Sequence, residues 1–183
     1  MKPYKDLTRL GRLRRMRQLA RLALAEYGLP DAPFKLVVQA GNTLFRVYGP
    51  PPSPVQDDDL FEPGQYLLRI YATDWQPPEA IRLELAWQAA MRREADLPVP
   101  EPVARLDGNL LTRVHMPGLP EPRYCALLRW MKGRLLTHGI GERHFRAQGE
   151  LMALMHNFTQ SWQLPAGHNK RKYDWNGLFM NDA

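Results

Sequence analysis

Arg69 stands inside an otherwise apolar run, Tyr66-Leu67-Leu68-Arg69-Ile70-Tyr71, and Glu84 falls beside the apolar side of the helical stretch that follows. The run is made of residues that fill a pleated, half-buried surface, so a cation within it needs a partner. A carboxylate beside an apolar helix stripe needs a charge for the same reason. Together they outline a strand, a turn and a helix that can hold phosphate: a guanidinium fork grips the oxygens and a carboxylate holds the guanidinium. The alternative is that Arg69 extends its head to solvent while Glu84 makes an ordinary surface ion pair within its helix.

The elements that would position the pair can be read from spacing. The helix opens at Pro77-Pro78-Glu79, with proline tolerated in a first turn and acid favourable at the N-terminal dipole. Glu84 lies three residues after Ile81 and four before Gln88, next to Leu85, near the stripe that also carries Trp87 and Met91. Before the central strand, Phe34 to Tyr48 reads as two strands joined by a tight turn at Ala40-Gly41-Asn42-Thr43, which can lay backbone N–H groups over a phosphate. The turn has a single glycine and no GxGxxG pattern. Gly49 to Gly64 reads as a polar, proline-rich connection rather than a strand, and its Asp57-Asp58-Asp59 run as a solvated loop rather than a metal site.

Further along, Val103 to Leu106 and Leu110 to Val114 flank Asp107-Gly108-Asn109 and predict a second hairpin. Arg123 to Met131 is another apolar strand, closed by Lys132-Gly133. About five short strands with one inserted helix make an antiparallel sheet of α+β type. Glu142 to Trp162 has helical periodicity, with Phe145, Leu151, Met152, Leu154, Met155 and Phe158 able to line a buried side. His144 and His156 read as surface or packing residues, since no carboxylate or thiol cluster completes a metal site. At the other end, Leu7 to Tyr27 places Leu10, Leu13, Met16, Leu19, Ala20, Ala23 and Leu24 near helical spacing with arginines between them, ended by Gly28 and Pro30. Such a helix suits a nucleic-acid or membrane surface or an organelle transit peptide. A helix that packs its apolar side on the domain is preferred, because the stripe is long and leads directly into ordered-looking sequence.

With 183 residues the chain can bury one core, or a small domain and part of a second. No apolar run approaches the ~20 residues of a spanning helix, and no secretory signal is present, so no membrane partner is expected. Cys125 is the sole cysteine. That rules out an internal disulfide and fits a reducing, cytoplasmic compartment. The formal charge of +6 points to an anionic partner.

In this order the elements resemble the N-terminal part of the aminoglycoside phosphotransferase family, whose relatives include choline kinases, type II homoserine kinases and fructosamine kinases. The resemblance is carried by the hairpin QAGNTLFRVY, the strand YLLRIY, the helix around Glu84 followed by LPVPEPV, the segment CALLRWMKGR and the helix GELMALMH. It implies a protein-kinase-like N-terminal lobe. Residues 1–30 would be an N-terminal amphipathic helix, 31–133 the nucleotide-binding lobe and hinge, and 134–183 the beginning of a helical C-terminal lobe. In the kinase scheme a basic residue on the third strand holds the α- and β-phosphates and is itself held by a glutamate of the next helix. Arg69 resembles that residue and Glu84 its partner. Gly41 and Asn42 correspond to the turn over the phosphates. Arg129, Trp130 and Met131 correspond to the hinge, with backbone groups of Arg129 and Met131 on adenine, and Leu36, Val38 and Leu128 would contact its ring. The intact family uses ATP with Mg²⁺ and a small-molecule acceptor bearing a hydroxyl or amine.

One departure is large. Family members carry an HxD loop whose aspartate takes the acceptor proton, a downstream asparagine and a metal-binding aspartate. None of the five histidines here, His115, His138, His144, His156 and His168, has aspartate two residues later. Asp174-Trp175-Asn176-Gly177 precedes the catalytic loop in family order. The expectation is a chain that stops before that loop, with no catalytic residue, no Mg²⁺ ligands and no turnover. The Glu142 to Trp162 helix would then lack its usual neighbours, which favours self-association. A noncatalytic kinase-like interaction module is the alternative. A nucleic-acid binder, resting on the basic N-terminal helix and Lys170-Arg171-Lys172, ranks last.

Overall fold

Thr8 starts the first helix by accepting the Gly11 N–H on its hydroxyl (3.2 Å). In the computed structural model, which describes residues 3–51, 58–73, 76–134, 136 and 138–165, that helix is α1 (Arg9–Ala25). It buries Met16, Leu19, Ala20, Ala23 and Leu24 and leaves Arg9, Arg14, Arg17 and Arg21 exposed, so its apolar stripe is spent on the domain. Strands β1 (Phe34–Ala40) and β2 (Asn42–Tyr48) follow, then β3 (Phe61–Ile70), α2 (Pro78–Ala95), β4 (Pro102–Val103), β5 (Leu111–Val114), β6 (Arg123–Met131) and α3 (Glu142–Ser161). The strands form one antiparallel sheet in the order β1-β2-β3-β6-β4, with β5 also paired to β6. The protein is α+β.

Strand alternation decides what each face meets. Phe45, Val47, Tyr66, Leu68, Ile70, Cys125 and Leu127 pack with the buried side of α1. Ile81 and Leu85 of α2 pack with Tyr71, Leu111 and Ala126, which alternation places on the opposite face. The helices thus cover different faces, and the second face is only partly covered.

The sequence reading and the structure differ in several places. The Pro-rich connection ends earlier than its composition suggested, since β3 already begins at Phe61. An irregularity between Phe61 and Tyr66 lets Pro63 and Gly64 stay in the strand. Gly64 has φ +65, and a Cβ there would lie 2.5 Å from the Gly49 carbonyl oxygen. The second hairpin does not form. Its two halves lie end to end along β6, β4 against Leu127 and Leu128 and β5 against Arg123 to Ala126, while the Asp107-Gly108-Asn109 turn loops out between them. The sheet has six strands, close to the five or so expected.

Asp58 is not a solvated loop residue. Its Oδ2 accepts Arg92 Nη2 (2.8 Å) and its Oδ1 accepts the Leu60 N–H (3.0 Å), and its side chain is mostly enclosed. Asp57 lies outside the described residues. Finally, α3 buries no residue fully: Met155 and Phe158 pack with Trp87, Met91, Leu97 and Val99, whereas Phe145, Met152 and Leu154 are exposed. Trp87 Nε1 donates to Thr159 Oγ1 (3.1 Å) across the same contact.

Cys125 is fully enclosed, and burial pushes its thiol well above the ordinary range. A thiol-specific chromogenic reagent is therefore expected to leave the native chain unlabelled at neutral pH and to react fully once guanidinium chloride unfolds it. Rapid native labelling would show that α1 does not stay seated on the sheet.

Candidate functional site

The partly covered face carries the Arg69 and Glu84 side chains. Arg69 Nη1 donates to Glu84 Oε1 at 2.9 Å, and both side chains are about a quarter exposed. The Arg69 guanidinium also stacks on Tyr71, 4.5 Å from the ring centroid. Tyr71 is buried and its hydroxyl is held protonated, chiefly by burial. So Arg69 is clamped on one edge by a carboxylate and on one side by a ring. The rest of its fork makes no hydrogen bond among the described residues. A partly open, oriented guanidinium of this kind is prepared to take a dianionic oxygen group.

Register identifies its neighbours. Leu44 lies directly across from Arg69 and Val38 across from Leu44, while Ala126 flanks Arg69 on β6. One row further, Arg46, Leu67 and Leu128 lie opposite one another. Val38, Leu44, Leu67 and Leu128 therefore make an apolar platform beside the cation. Leu44, Leu67 and Tyr71 were missed in the sequence, although Leu67 and Tyr71 sit two residues either side of Arg69 and share its face by alternation alone.

Leu36 does not join the platform. A bulge between Leu36 and Val38 breaks the two-residue period, leaving Leu36 opposite Phe45 and packed on the α1-side core. The hairpin tip is tighter than the four-residue turn expected, with Ala40 paired to Asn42 and Gly41 alone at the turn with φ +68. The Asn42 carboxamide accepts the Ala72 N–H (2.9 Å), which pins the tip to the chain just beyond Tyr71.

The hinge residues take separate directions. Trp130 lies under the Arg46 guanidinium at 4.2 Å, and Arg46 Nε donates to Gln65 Oε1 (2.7 Å). The Arg129 side chain is nearly enclosed, paired with Glu101 (2.7 Å) and stacked on Phe61 (4.1 Å). Its N–H donates to the Glu101 carbonyl (2.8 Å), so a flat ligand at this strand would meet the Arg129 carbonyl instead. Met131 pairs with Phe61 at the end of β6.

The donor set at Arg69 does not fit Mg²⁺. Its one carboxylate, Glu84, is engaged by the guanidinium, and no group of three or more His, Cys, Asp or Glu residues suited to a metal occurs among the described residues. His168, Lys170 to Lys172 and the Asp174 to Gly177 segment lie outside them. Among the described residues no helix is long and apolar enough to cross a membrane.

Comparison with solved structures finds this fold in two kinases. The chain superposes on a microcompartment-associated aminopropanol kinase with TM-score 0.67 and 26% identity, over 87% of this chain and 46% of that one. It also superposes on the amicoumacin kinase hAmiN, solved with AMP-PNP, Ca²⁺ and Ami, with TM-score 0.59 and 18% identity, over 87% of this chain and 44% of that one. The second likeness is one of fold. The chain spans a little under half the length of both structures. No curated protein matches it. The model of the phosphotransferase enzyme family, APH, matches residues 56–178, a span that holds Arg69, Glu84 and the β6 hinge strand and covers well over half of the chain, and the chain belongs to that family.

Proposed function

We propose that this chain is the nucleotide-binding part of an ATP-dependent small-molecule phosphotransferase. The observation that carries the reading is the Arg69–Glu84 pair, 2.9 Å apart, set beside the platform of Val38, Leu44, Leu67 and Leu128. Adenine would lie on the platform with its edge at the Arg129 carbonyl and at Met131, and the phosphates would reach the open side of the Arg69 fork beneath the Gly41 turn. The acceptor would carry a hydroxyl or an amine, a class to which the aminopropanol of the 26% identical neighbour belongs. ATP use and a single reduced cysteine suit the cytoplasm.

The test is a calorimetric titration of the chain with ATP in the presence of Mg²⁺, together with a search for ADP release. Saturable heat is expected. Turnover above background is not, because none of the chain's histidines begins an HxD loop and, among the described residues, Arg69 is paired with no carboxylate but Glu84 and no group of three or more His, Cys, Asp or Glu could hold a metal. Sustained ATP-dependent turnover by the purified chain would overturn that expectation. Absence of saturable heat would overturn nucleotide binding itself. One observation favours a second reading, an interaction module that associates through α3: that helix leaves Phe145, Met152 and Leu154 exposed, on either flank of its packed side. Association that rises with concentration, without nucleotide binding, would put that reading first.

A further inference from the structure

We propose that the chain has a separate site for a phosphate-class oxyanion, built around Arg123 at the end of the sheet. Arg123 opens β6 opposite Val114. Two and four residues on, Cys125 and Leu127 belong to the core beneath α1, so alternation puts Arg123 on the α1 face. Arg69 is on the other face. Arg123 is only 9% exposed, yet it makes no ion pair among the described residues, and its Nε is buried without an acceptor. The ring of Tyr4 lies 5.9 Å from its Cζ, and Arg12 lies over the same ring, also at 5.9 Å. Guanidinium does not shed its proton when enclosed, so such a group calls for a counter-charge.

The surroundings have room for one. Two cavities of about 210 and 190 Å³ meet at Arg123 and at the Tyr71 to Thr73 segment. A third, of about 410 Å³, shares Tyr4 and Gln39 with the second. Across the three, the charged lining among the described residues is Arg9, Arg12, Arg113 and Arg123 against the one carboxylate of Glu121. No ion pair occupies any of those arginines among the described residues. Thr73 and Tyr4 add hydroxyl groups to the walls. Forked donors in excess of acceptors, around pockets of this size, select a tetrahedral oxyanion or a diphosphate over a monovalent halide. An occupant would also brace the hairpin tip, because the shared segment includes Ala72, whose N–H is held by Asn42.

The test is a calorimetric titration of the Arg69→Ala chain with inorganic pyrophosphate, inorganic phosphate and glycerol phosphate, against chloride at matched ionic strength. The Arg69→Ala background weakens the phosphate grip of the proposed nucleotide site, and the Arg123 and Arg113/Arg12 changes, which leave Arg69 and Glu84 out of account, assign what binding remains, so failure of either site shows separately. Saturable binding is expected, weakened at least about tenfold by adding Arg123→Met, the scale of one lost charge-assisted contact. If Arg123→Met does not fold, the exposed Arg113→Ala and Arg12→Ala changes, made together, are expected to weaken binding comparably. Tighter binding of the ester would assign a phosphorylated metabolite, and equal or weaker binding of it would assign the inorganic ion. The proposal is overturned if none of the three anions binds saturably, or if binding persists undiminished in the Arg123→Met or Arg113→Ala/Arg12→Ala chains.

Discussion

Replacing Asp58 by alanine is expected to destabilise the chain by about 3 kcal/mol, the cost of leaving buried cations short of a partner. For a domain of this length that is a fall of roughly 6 to 12 °C in Tm. Asp58 Oδ2 lies 2.8 Å from Arg92 and 3.7 Å from Arg129, whose side chains are 10% and 11% exposed. Both guanidinium groups also lie against the ring of Phe61, at 5.5 and 4.1 Å. This knot joins the start of β3, the end of α2 and the hinge strand. Other partners limit the loss: Arg92 keeps Asp96 and the Leu97 carbonyl, and Arg129 keeps Glu101. Asp58→Asn separates two contributions, because its amide oxygen still accepts the Leu60 N–H while the charge is gone. If charge dominates, asparagine should recover little. Urea unfolding of both variants beside Glu79→Ala, which breaks an exposed 3.8 Å pair and removes a first-turn acid of α2 and should cost about 1 kcal/mol or less, gives the scale. A loss under about 1 kcal/mol for Asp58→Ala would mean that the knot is hydrated and contributes little.

Asp58 also shows where sequence reasoning stops. Three consecutive aspartates in a proline-rich stretch look like a solvated loop, and nothing local distinguishes the middle one. Its role depends on Arg92 and Arg129, which are distant in sequence and meet only in the fold. The Arg69–Glu84 pair was legible for the opposite reason: each residue is anomalous against its own period, a cation in an apolar strand and an acid beside an apolar helix stripe. α1, α2 and β6 were legible by periodicity and by Pro and Gly punctuation. The site's apolar platform was only half legible. Alternation from Arg69 yields Leu67 and Tyr71, but β1 carries a bulge that no residue type announces, so Leu36 and Val38 end on different faces. The missing hairpin has a similar cause. Asp107-Gly108-Asn109 does turn the chain, with Asp107 accepting both the backbone and side-chain N–H groups of Asn109. The flanking segments nevertheless find better partners on β6 than on each other, and local turn chemistry cannot register that competition.

Arg69→Ala is expected to weaken ATP binding by about 2 kcal/mol, on the order of thirtyfold, while changing stability much less. The asymmetry follows from exposure. With both side chains of the Arg69–Glu84 pair about a quarter exposed, solvent screens their attraction and the pair contributes about 1 kcal/mol or less to folding. A phosphate arriving at the same guanidinium would displace that water and meet a fork already fixed by Glu84 and by Tyr71. Arg69→Lys should fall between, since lysine restores the charge but not two parallel donors. Glu84→Gln tests the positioning role: it leaves Arg69 charged but loosens it, so the expected loss is smaller than for Arg69→Ala and larger than zero. The ordering wild type, Arg69→Lys, Arg69→Ala in calorimetric affinity, with nearly coincident urea curves, is the signature of a phosphate grip. Equal affinity in all three would remove Arg69 from the nucleotide site and leave the pair as a tie between β3 and α2. Parallel losses of affinity and stability would instead show that Arg69 acts by holding α2 against the sheet.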